Sequence, residues 1–194
     1  MTSRERLFSE IYTIDQATNL YMIEIALDQY TDIFNKWDPA PFKRREIDPD
    51  LVLYLEQCSD EIPARYPIEL CFTVLPDKQD SLLEAEVRQG LKNSFIFKLY
   101  LIRKSIQKNN AQALLCVLLG FLLLWIATLF SRRYGDAILP MLPSLLTDGL
   151  VIGGWVFVWE AVSLFFFTNR EFYQRYRTYK RLQAAPVLFQ CRST

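Results

Sequence analysis

The chain has 194 residues, of which 51% are hydrophobic, and its 22 basic and 22 acidic residues give a formal net charge of +0. It contains no histidine, which excludes Ser-His-Asp triads, Cys-His pairs, imidazole metal sites and histidine proton relays. Most acids lie before residue 90, and the region after Lys92 is mainly basic. This balance argues against nucleic-acid binding and suits a membrane protein with basic residues beside lipid head groups.

The cysteine and aspartate patterns give no reason to expect a metal site. The four cysteines form no CxxC pair, so we expect no zinc or disulfide framework and interpret all four as small buried apolar residues. The aspartates between residues 28 and 50 lack the glycine and the spacing of an EF-hand loop. No phosphate loop, nucleophile elbow or dinucleotide fingerprint is present, so we predict no cofactor and no enzymatic activity.

The first part of the chain predicts a small α/β domain. Residues 1–18 predict a loop or short helix and lack the apolar core of a secretory signal peptide, so this domain is expected in the cytoplasm. Leu20–Leu27 alternates apolar side chains at period two and predicts a strand, with Glu24 on its wetter face. Tyr66–Pro76 predicts a second strand, with Glu69 on its more exposed face.

A helix is predicted between these strands, because Asp48 can cap its N-terminus and Pro49 suits the first helical position. Pro63 ends this helix, and its predicted apolar face consists of Leu51, Tyr54, Leu55 and Cys58. A strand, a helix and a second strand in this order predict a parallel βαβ unit. The segment Pro186–Cys191 predicts a short third strand that would return to the same sheet.

Two apolar arms dominate the rest of the chain. They span residues 111–131 and 148–168, each about the twenty residues that a helix needs to cross a bilayer. Apolar residues recur at helical spacing from Leu83 to Ile106, so we expect one helix to start near Asp80 and continue into the first arm. The predicted fold is therefore an α+β membrane protein, with a cytoplasmic two- or three-stranded sheet and an antiparallel two-helix transmembrane hairpin.

The predicted domains are 1–108 for the cytoplasmic domain, 109–168 for the hairpin and 169–194 for a basic cytoplasmic tail. Basic residues flank the outer ends of both arms, whereas the connection between the arms carries only Arg132 and Arg133. By the positive-inside rule, we expect both termini in the cytoplasm of an inner-membrane protein. The basic residues expected at the membrane interface are Lys98, Arg103, Lys104, Arg170, Arg175, Arg177, Lys180 and Arg181.

Glu160 lies past the middle of the second arm, where a carboxylate costs about 3 kcal/mol to insert. It would line an oligomeric pore or ion relay, or it would be a neutral side chain hydrogen-bonded between helices. Gly149 and Gly153 form a GxxxG pair, which predicts close helix packing. The partner would be the first arm, near Gly120 or Ala127, or a second copy of the chain.

Lys43, Arg44 and Arg45 form a small basic patch beside Phe42, in a loop rich in aspartate and proline. Such a patch can bind phosphate or a nucleotide, but a patch of this kind is more often a solvated loop face. We treat these three residues as a possible ligand loop.

Two stretches carry a resemblance. DIFNKWDPAPFKRREIDPDLVLYL, residues 32–55, resembles a pattern in a family of small uncharacterised bacterial inner-membrane proteins. GLVIGGWVFVWEAVSLFFF, residues 149–167, resembles the second membrane helix of that family, as does the basic stretch before Ala185. Family members often carry arginine or another polar residue where this chain has Glu160. The resemblance implies two membrane helices, a cytoplasmic α/β domain and no known activity.

The sequence as a whole predicts a non-enzymatic integral membrane protein. Its cytoplasmic domain would sense a ligand or bind a partner protein, and its hairpin would anchor it in the lipid bilayer and assemble into a homo-oligomer. Two spans are too few for a transporter, so conduction would require several copies. The alternatives are an oligomeric channel or membrane-disrupting effector, for example in stress or phage defence, and a membrane-tethered enzyme.

Overall fold

The computed structural model describes residues 11–16, 18–76, 79–134 and 141–191, which form two compact units. The sheet unit comprises the described residues up to Leu101 and those from Arg175 onward. The helical unit comprises the described residues from Ile102 to Gln174. The predicted tail 169–194 is thus divided, because its part from Arg175 onward belongs to the sheet unit. Most of the loop or helix predicted for residues 1–18 lies outside the described residues.

Three parallel strands form the sheet, in the spatial order β1-β2-β3. The strands are β1 (Tyr21–Ala26), β2 (Ile68–Val74) and β3 (Val187–Cys191). Ile23 of β1 is opposite Leu70, and Phe72 is opposite Phe189 of β3. Both the predicted parallel unit and the predicted return of the third strand are confirmed. The whole helical unit lies, in sequence, between β2 and β3.

The central strand β2 is buried on both faces, as is usual in a parallel sheet. Its predicted inward residues are buried, but so are Glu69 and Cys71 on the other face. The expectation that Glu69 is exposed is wrong, since its side chain is 0% exposed and accepts a hydrogen bond from the Thr18 hydroxyl at 3.2 Å. Glu24 on the edge strand β1 is exposed, as predicted.

Helix α1 spans Pro49–Glu61 and begins as predicted. The Asp48 carboxylate accepts hydrogen bonds from the N–H groups of Asp50 at 2.9 Å and Leu51 at 3.4 Å. The predicted apolar face is only partly correct, because Tyr54 is exposed and its hydroxyl donates to the Glu24 carbonyl at 3.2 Å. The buried residues of the helix are Val52, Leu55, Cys58 and Ser59.

Helix α2 spans Ser81–Tyr134 and confirms the prediction of one helix that starts at Asp80 and includes the first arm. The Asp80 carboxylate accepts hydrogen bonds from the N–H groups of Leu82 at 2.9 Å and Leu83 at 3.3 Å. These bonds satisfy two of the N–H groups that a helix leaves unpaired at its N-terminus.

The second apolar arm is also helical. Helix α3 spans Met141–Ser163, a π-helical turn spans Leu164–Thr168, and helix α4 spans Asn169–Ala184. Two helices in the described part of the chain are thus long and apolar enough to cross a membrane. The apolar window of the first is 22% buried and that of the second 11%.

The cysteines are free thiols. Cys58, Cys71 and Cys116 are buried, as predicted. Cys191 is exposed, contrary to the prediction, because it ends the edge strand β3.

Candidate functional site

Lys43, Arg44 and Arg45 lie in a longer closed loop of the sheet unit, which is called the ligand loop from here on. It comprises residues 35–46, and an isolated antiparallel bridge between Phe34 and Ile47 joins its ends. The Asn35 N–H donates to the Glu46 carbonyl at 2.8 Å beside this bridge. Compact loops with ends held together in this way are often functional.

Gly90 of α2 is where this loop rests on the helix. A Cβ atom at Gly90 would lie 2.3 Å from the Phe42 carbonyl oxygen and 3.0 Å from the Phe34 ring. A second anchor is Asn93, whose Nδ2 donates to the Lys43 carbonyl at 2.8 Å. Glycine at position 90 therefore allows the loop backbone to approach α2 directly.

The loop and α2 line a groove of 460 Å³, here called the basic groove. Lys43, Arg44 and Arg45 of the loop line it together with Lys98 of α2. Lys98 was predicted at the membrane interface, and the structure places it beside the ligand loop. The other lining residues are Asp38, Glu46, Asn93, Ser94, Phe97 and Leu101.

The two arginines of the groove differ in how firmly they are held. Arg45 Nε donates to the Ala40 carbonyl at 2.9 Å, and its guanidinium carbon lies 5.4 Å from the centroid of the Phe42 ring. Arg44 is exposed, and its guanidinium forms no hydrogen bond or ion pair with the residues that the structure describes. Arg45 is preorganised, whereas Arg44 has all its donors available.

The two lysines of the groove form long ion pairs. Lys43 Nζ lies 3.6 Å from the Glu86 carboxylate, and both side chains are exposed. Lys98 Nζ lies 3.9 Å from the Glu46 carboxylate, which is exposed, and 6.0 Å from the Tyr179 ring centroid. An exposed pair such as that of Lys43 contributes only about 0–1 kcal/mol. Lys98 is half-buried, but its ion pair is long, so an incoming anion can compete for both ammonium groups.

The Asp38 carboxylate adds a negative charge to the groove, and its oxygens accept hydrogen bonds from the backbone. Oδ2 accepts from the Glu46 N–H at 2.8 Å and Oδ1 from the Ala40 N–H at 3.0 Å. These two hydrogen bonds lower the pKa of Asp38 below its ordinary value, and the bond from the Glu46 N–H has the larger effect. Because Asp38 and Glu46 are the two acidic residues that line the groove, its four cations leave an excess of two positive charges.

Arg181 is structural. Its guanidinium donates four hydrogen bonds of 2.6–3.3 Å to backbone carbonyls that follow or end α1, those of Ser59, Ile62, Pro63 and Tyr66. Burial lowers the pKa of Arg181, and the charge of Asp60 opposes this shift. The geometry thus gives Arg181 an internal role where the sequence predicts a membrane-interface residue. The others predicted there are exposed: Arg103, Lys104, Arg170, Arg175, Arg177 and Lys180.

In the helical unit, the two apolar helices approach each other closely at Gly120 and Gly154. A Cβ at Gly154 would lie 2.8 Å from Leu124 Cγ and 3.1 Å from the Gly120 carbonyl oxygen. By contrast, a Cβ at Gly149 would meet no described atom within 4 Å, and one at Gly153 would meet only Leu123 Cδ1, at 3.8 Å. Gly120 therefore packs as predicted, but its partner is Gly154 and not the GxxxG pair.

Three asparagines next to the apolar arms form a hydrogen-bond network, in which Asn109 and Asn169 are buried and Asn110 is exposed. Asn109 Nδ2 donates to Asn169 Oδ1 at 2.8 Å, and Asn169 Nδ2 donates to Asn110 Oδ1 at 2.7 Å. Asn109 Nδ2 also donates to the Leu164 carbonyl at 3.2 Å, at the start of the π-helical turn. Our sequence reasoning missed this network, although adjacent asparagines next to an apolar arm were a signal for it.

Glu160 lies on an exposed face of α3. Its carboxylate forms no hydrogen bond or ion pair within residues 11–16, 18–76, 79–134 and 141–191. The exposed side chains near it include Val156 and Trp159, the latter 72% exposed. The predicted hydrogen bond between the two helices of one chain is therefore not formed by this described part of the protein.

Comparison of the chain with protein-family models, with curated proteins and with solved structures finds no match. The resemblance to small bacterial inner-membrane proteins therefore stays a prediction. Function has to be inferred from the two features above, the basic groove and the exposed apolar helices.

Proposed function

We propose that this chain is a non-enzymatic integral membrane protein. Two helices cross the inner membrane and carry a cytoplasmic sheet unit that binds a ligand or partner through the basic groove. The observation that carries the proposal is the exposure of the apolar windows, which are 22% and 11% buried. The core helix of a soluble protein would be mostly buried, whereas hydrocarbon is a favourable solvent for this surface.

The sheet supports an even number of membrane crossings. β2 precedes both apolar helices in the chain and β3 follows them, yet the two strands pair, with Leu70 opposite Val187. Strands of one sheet have to lie on the same side of a bilayer. Two crossings between them satisfy this requirement, and an antiparallel hairpin is the simplest form. The contacts of Asn109 with Asn169 and of Gly120 with Gly154 support that form.

The charge distribution supports a cytoplasmic sheet unit even when Lys98 and Arg181 are left out. The connection between the apolar helices carries two basic residues, Arg132 and Arg133. Positive charge flanking membrane helices accumulates on the cytoplasmic side. The remaining basic residues at the outer ends of the helices are Arg103, Lys104, Lys108, Arg170, Arg175, Arg177 and Lys180.

Extraction and topology experiments test this proposal. The full chain is expected to stay with membranes after alkaline washing and to be released by detergent. A reporter fused after Thr194 is expected to report the cytoplasm, and one inserted in the connection at residues 132–147 the opposite side. Release by alkaline washing would refute membrane integration, and the same location for both reporters would refute the hairpin.

One face of α3 supports assembly into a homo-oligomer. Gly149, Gly153, Val156 and Glu160 lie within an arc of about 60° at about 100° per residue. Most of this face is free of α2 in the described residues. A Cβ at Gly149 meets nothing within 4 Å and Glu160 is exposed, whereas a Cβ at Gly153 would lie 3.8 Å from Leu123. Packing between copies would bring small residues together and remove the carboxylate from lipid, where it costs about 3 kcal/mol.

Gly149→Leu tests the oligomer. We expect this variant to lose most chemical cross-linking between copies in membranes, because its side chain fills the shared face. Val162→Leu, on another exposed part of α3, is the matched control and should cross-link as the wild type does. Equal cross-linking of both variants and the wild type would exclude this face as the interface.

A second candidate function is conduction by such an oligomer, and the exposed Glu160 favours it. A ring of carboxylates from several copies would provide a polar lining that one hairpin lacks. Expression of the wild-type chain should then depolarise the membrane, and Glu160→Ala should not. Glu171→Ala, outside the apolar arm, is the control and should depolarise like the wild type. Absence of depolarisation by the wild type would remove this candidate.

A further inference from the structure

We propose that the basic groove binds a phosphate-bearing anion. This inference rests on the proposed function, because it names the ligand class of the sheet unit. The groove combines Lys43, Arg44 and Arg45 of the loop with Lys98 of α2 in a space of 460 Å³. That volume is within the range of about 300–1,000 Å³ usual for small-molecule sites.

The arginines provide the donors that a phosphate group requires. A guanidinium presents a planar fork of N–H groups that matches two phosphate oxygens, and bonds between charged partners are about twice as strong as neutral ones. The guanidinium of Arg44 has no partner among the described residues. Arg45 is held over Phe42 by its bond to the Ala40 carbonyl, so less entropy is lost when it binds.

The lysines contribute positive charge, because their existing ion pairs are long. Lys43 and Lys98 are paired with carboxylates only at 3.6 Å and 3.9 Å. An anion with two negative charges would attract both ammonium groups more strongly than these exposed carboxylates do. The negatively charged carboxylate of Asp38 accepts hydrogen bonds from the backbone N–H groups of Ala40 and Glu46.

The apolar lining distinguishes a phosphate ester from a bare ion. Phe97 and Leu101 of α2 line the same groove as the four cations. The Phe97 side chain is exposed, and its ring stacks on Tyr100 with 6.5 Å between centroids. A ligand with a phosphate group and an apolar or aromatic body would cover this surface. Both a soluble phosphate ester and the headgroup of an anionic lipid have that chemistry.

Protection of the ligand loop from amide hydrogen exchange tests whether the groove binds a phosphate-bearing anion. The full chain is purified in neutral maltoside micelles at 0.15 M salt, and amide hydrogen exchange of residues 35–46 is followed during titration with inorganic pyrophosphate. A second series uses phosphatidylcholine nanodiscs with and without phosphatidylglycerol. We expect the ligand to slow exchange in the loop, because bound phosphate links the loop to α2.

Two double variants with the same change in net charge separate the groove from general electrostatics. Lys43→Gln/Arg44→Gln removes two groove cations and should weaken the apparent affinity at least tenfold. Lys36→Gln/Lys92→Gln removes two exposed lysines that do not line the groove, and its affinity should stay within twofold of the wild type. Arg44→Lys keeps the charge without the fork and should weaken binding several-fold. Unchanged exchange in β2 verifies that each variant is folded.

The outcomes divide as follows. Protection by pyrophosphate that Lys43→Gln/Arg44→Gln selectively loses supports the proposal with a soluble ester as the source. Protection only by phosphatidylglycerol, with the same selective loss, supports it with a lipid headgroup as the source. No protection in either series, or equal loss in both double variants, overturns it. The micelle series needs no bilayer, so failure of the proposed membrane topology would show in the extraction test alone.

Discussion

The sheet unit and the helical unit place large apolar side chains in opposite environments. Ile23, Leu70 and Phe72 in the sheet unit are 0% exposed, whereas Phe121 and Trp159 in the helical unit are 64% and 72% exposed. Water cannot favour both arrangements, since each Å² of apolar surface left in it costs about 25 cal/mol. The difference is expected if water surrounds the sheet unit and hydrocarbon surrounds the helices, as we propose.

A pair of phenylalanine substitutions tests this difference most strongly. Phe72→Ala removes a ring that is fully buried and stacked 5.5 Å from Phe189, so the sheet unit should lose about 3–5 kcal/mol of unfolding free energy. Phe121→Ala removes an exposed ring and should change the stability of the helical unit by less than about 0.5 kcal/mol. Urea titration in neutral detergent, followed by hydrogen exchange in β2 and α2, measures both. Equal losses would contradict the contrast between the units.

Substitutions of two arginines on α4 test which part of this helix belongs to the sheet unit. Arg181→Gln breaks four hydrogen bonds to carbonyls around the end of α1, and we expect a loss of about 2–3 kcal/mol in the same urea titration. Arg177→Gln, one helical turn earlier and exposed, should cost less than about 0.5 kcal/mol. A large effect of Arg177→Gln would place a second internal contact in α4.

Two glycines on α3 separate contacts within one chain from contacts between copies. Gly154→Ala should destabilise the helical unit by about 1–3 kcal/mol, because its Cβ would overlap Leu124 at 2.8 Å. Gly149→Ala should cause no loss in monomeric micelles, because its Cβ meets no described atom within 4 Å and alanine favours a helix. Thermal unfolding followed by circular dichroism checks both. Loss of stability in monomeric Gly149→Ala would contradict the assignment of its face.

The smallest expected effect is a pH dependence that belongs to the sheet unit alone. Burial raises the pKa of Glu69 above its ordinary value, the hydrogen bond from Thr18 opposes this, and the Asp15 charge adds to it. The folded state therefore binds the proton more tightly than the unfolded state does. The resulting contribution to the free energy of unfolding is complete below the unfolded pKa of about 4.3 and is lost as pH rises through the folded-state pKa. Glu69→Gln should flatten this decline in melting temperature, and Glu24→Gln, on an exposed face, should leave it unchanged.

Local features of the fold could be predicted because each depends on residues close in sequence. The alternation in Leu20–Leu27, the caps at Asp48 and Asp80 and the apolar length of both arms each specify an element without reference to the rest of the chain. The third strand was predictable for the same reason, since Val187–Cys191 has a strand pattern after a proline.

The features that the sequence did not predict depend on tertiary contacts. Glu69 alternates with apolar residues like an exposed side chain, and only its position in a central strand explains its burial. Asn93 and Lys98 share the basic groove with Arg44 because Gly90 admits the Phe42 carbonyl, which no spacing in the sequence reveals. For the same reason, a search for the GxxxG motif selects Gly149 and Gly153, although Gly154 makes the close contact with Gly120.

The strand order also has a consequence for biosynthesis. A ribosome completes β1 and β2 before the two apolar helices, and β3 emerges only after them. Until then the β2 edge from Leu70 to Val74 has unpaired backbone groups, which can pair with other chains. If the two apolar helices span the membrane as we propose, β3 can pair with β2 only after both helices have inserted. The chain has then returned to the side of the membrane on which β2 lies. Newly made chains that fail to insert would thus keep an open edge, a state that chaperones and proteases recognise.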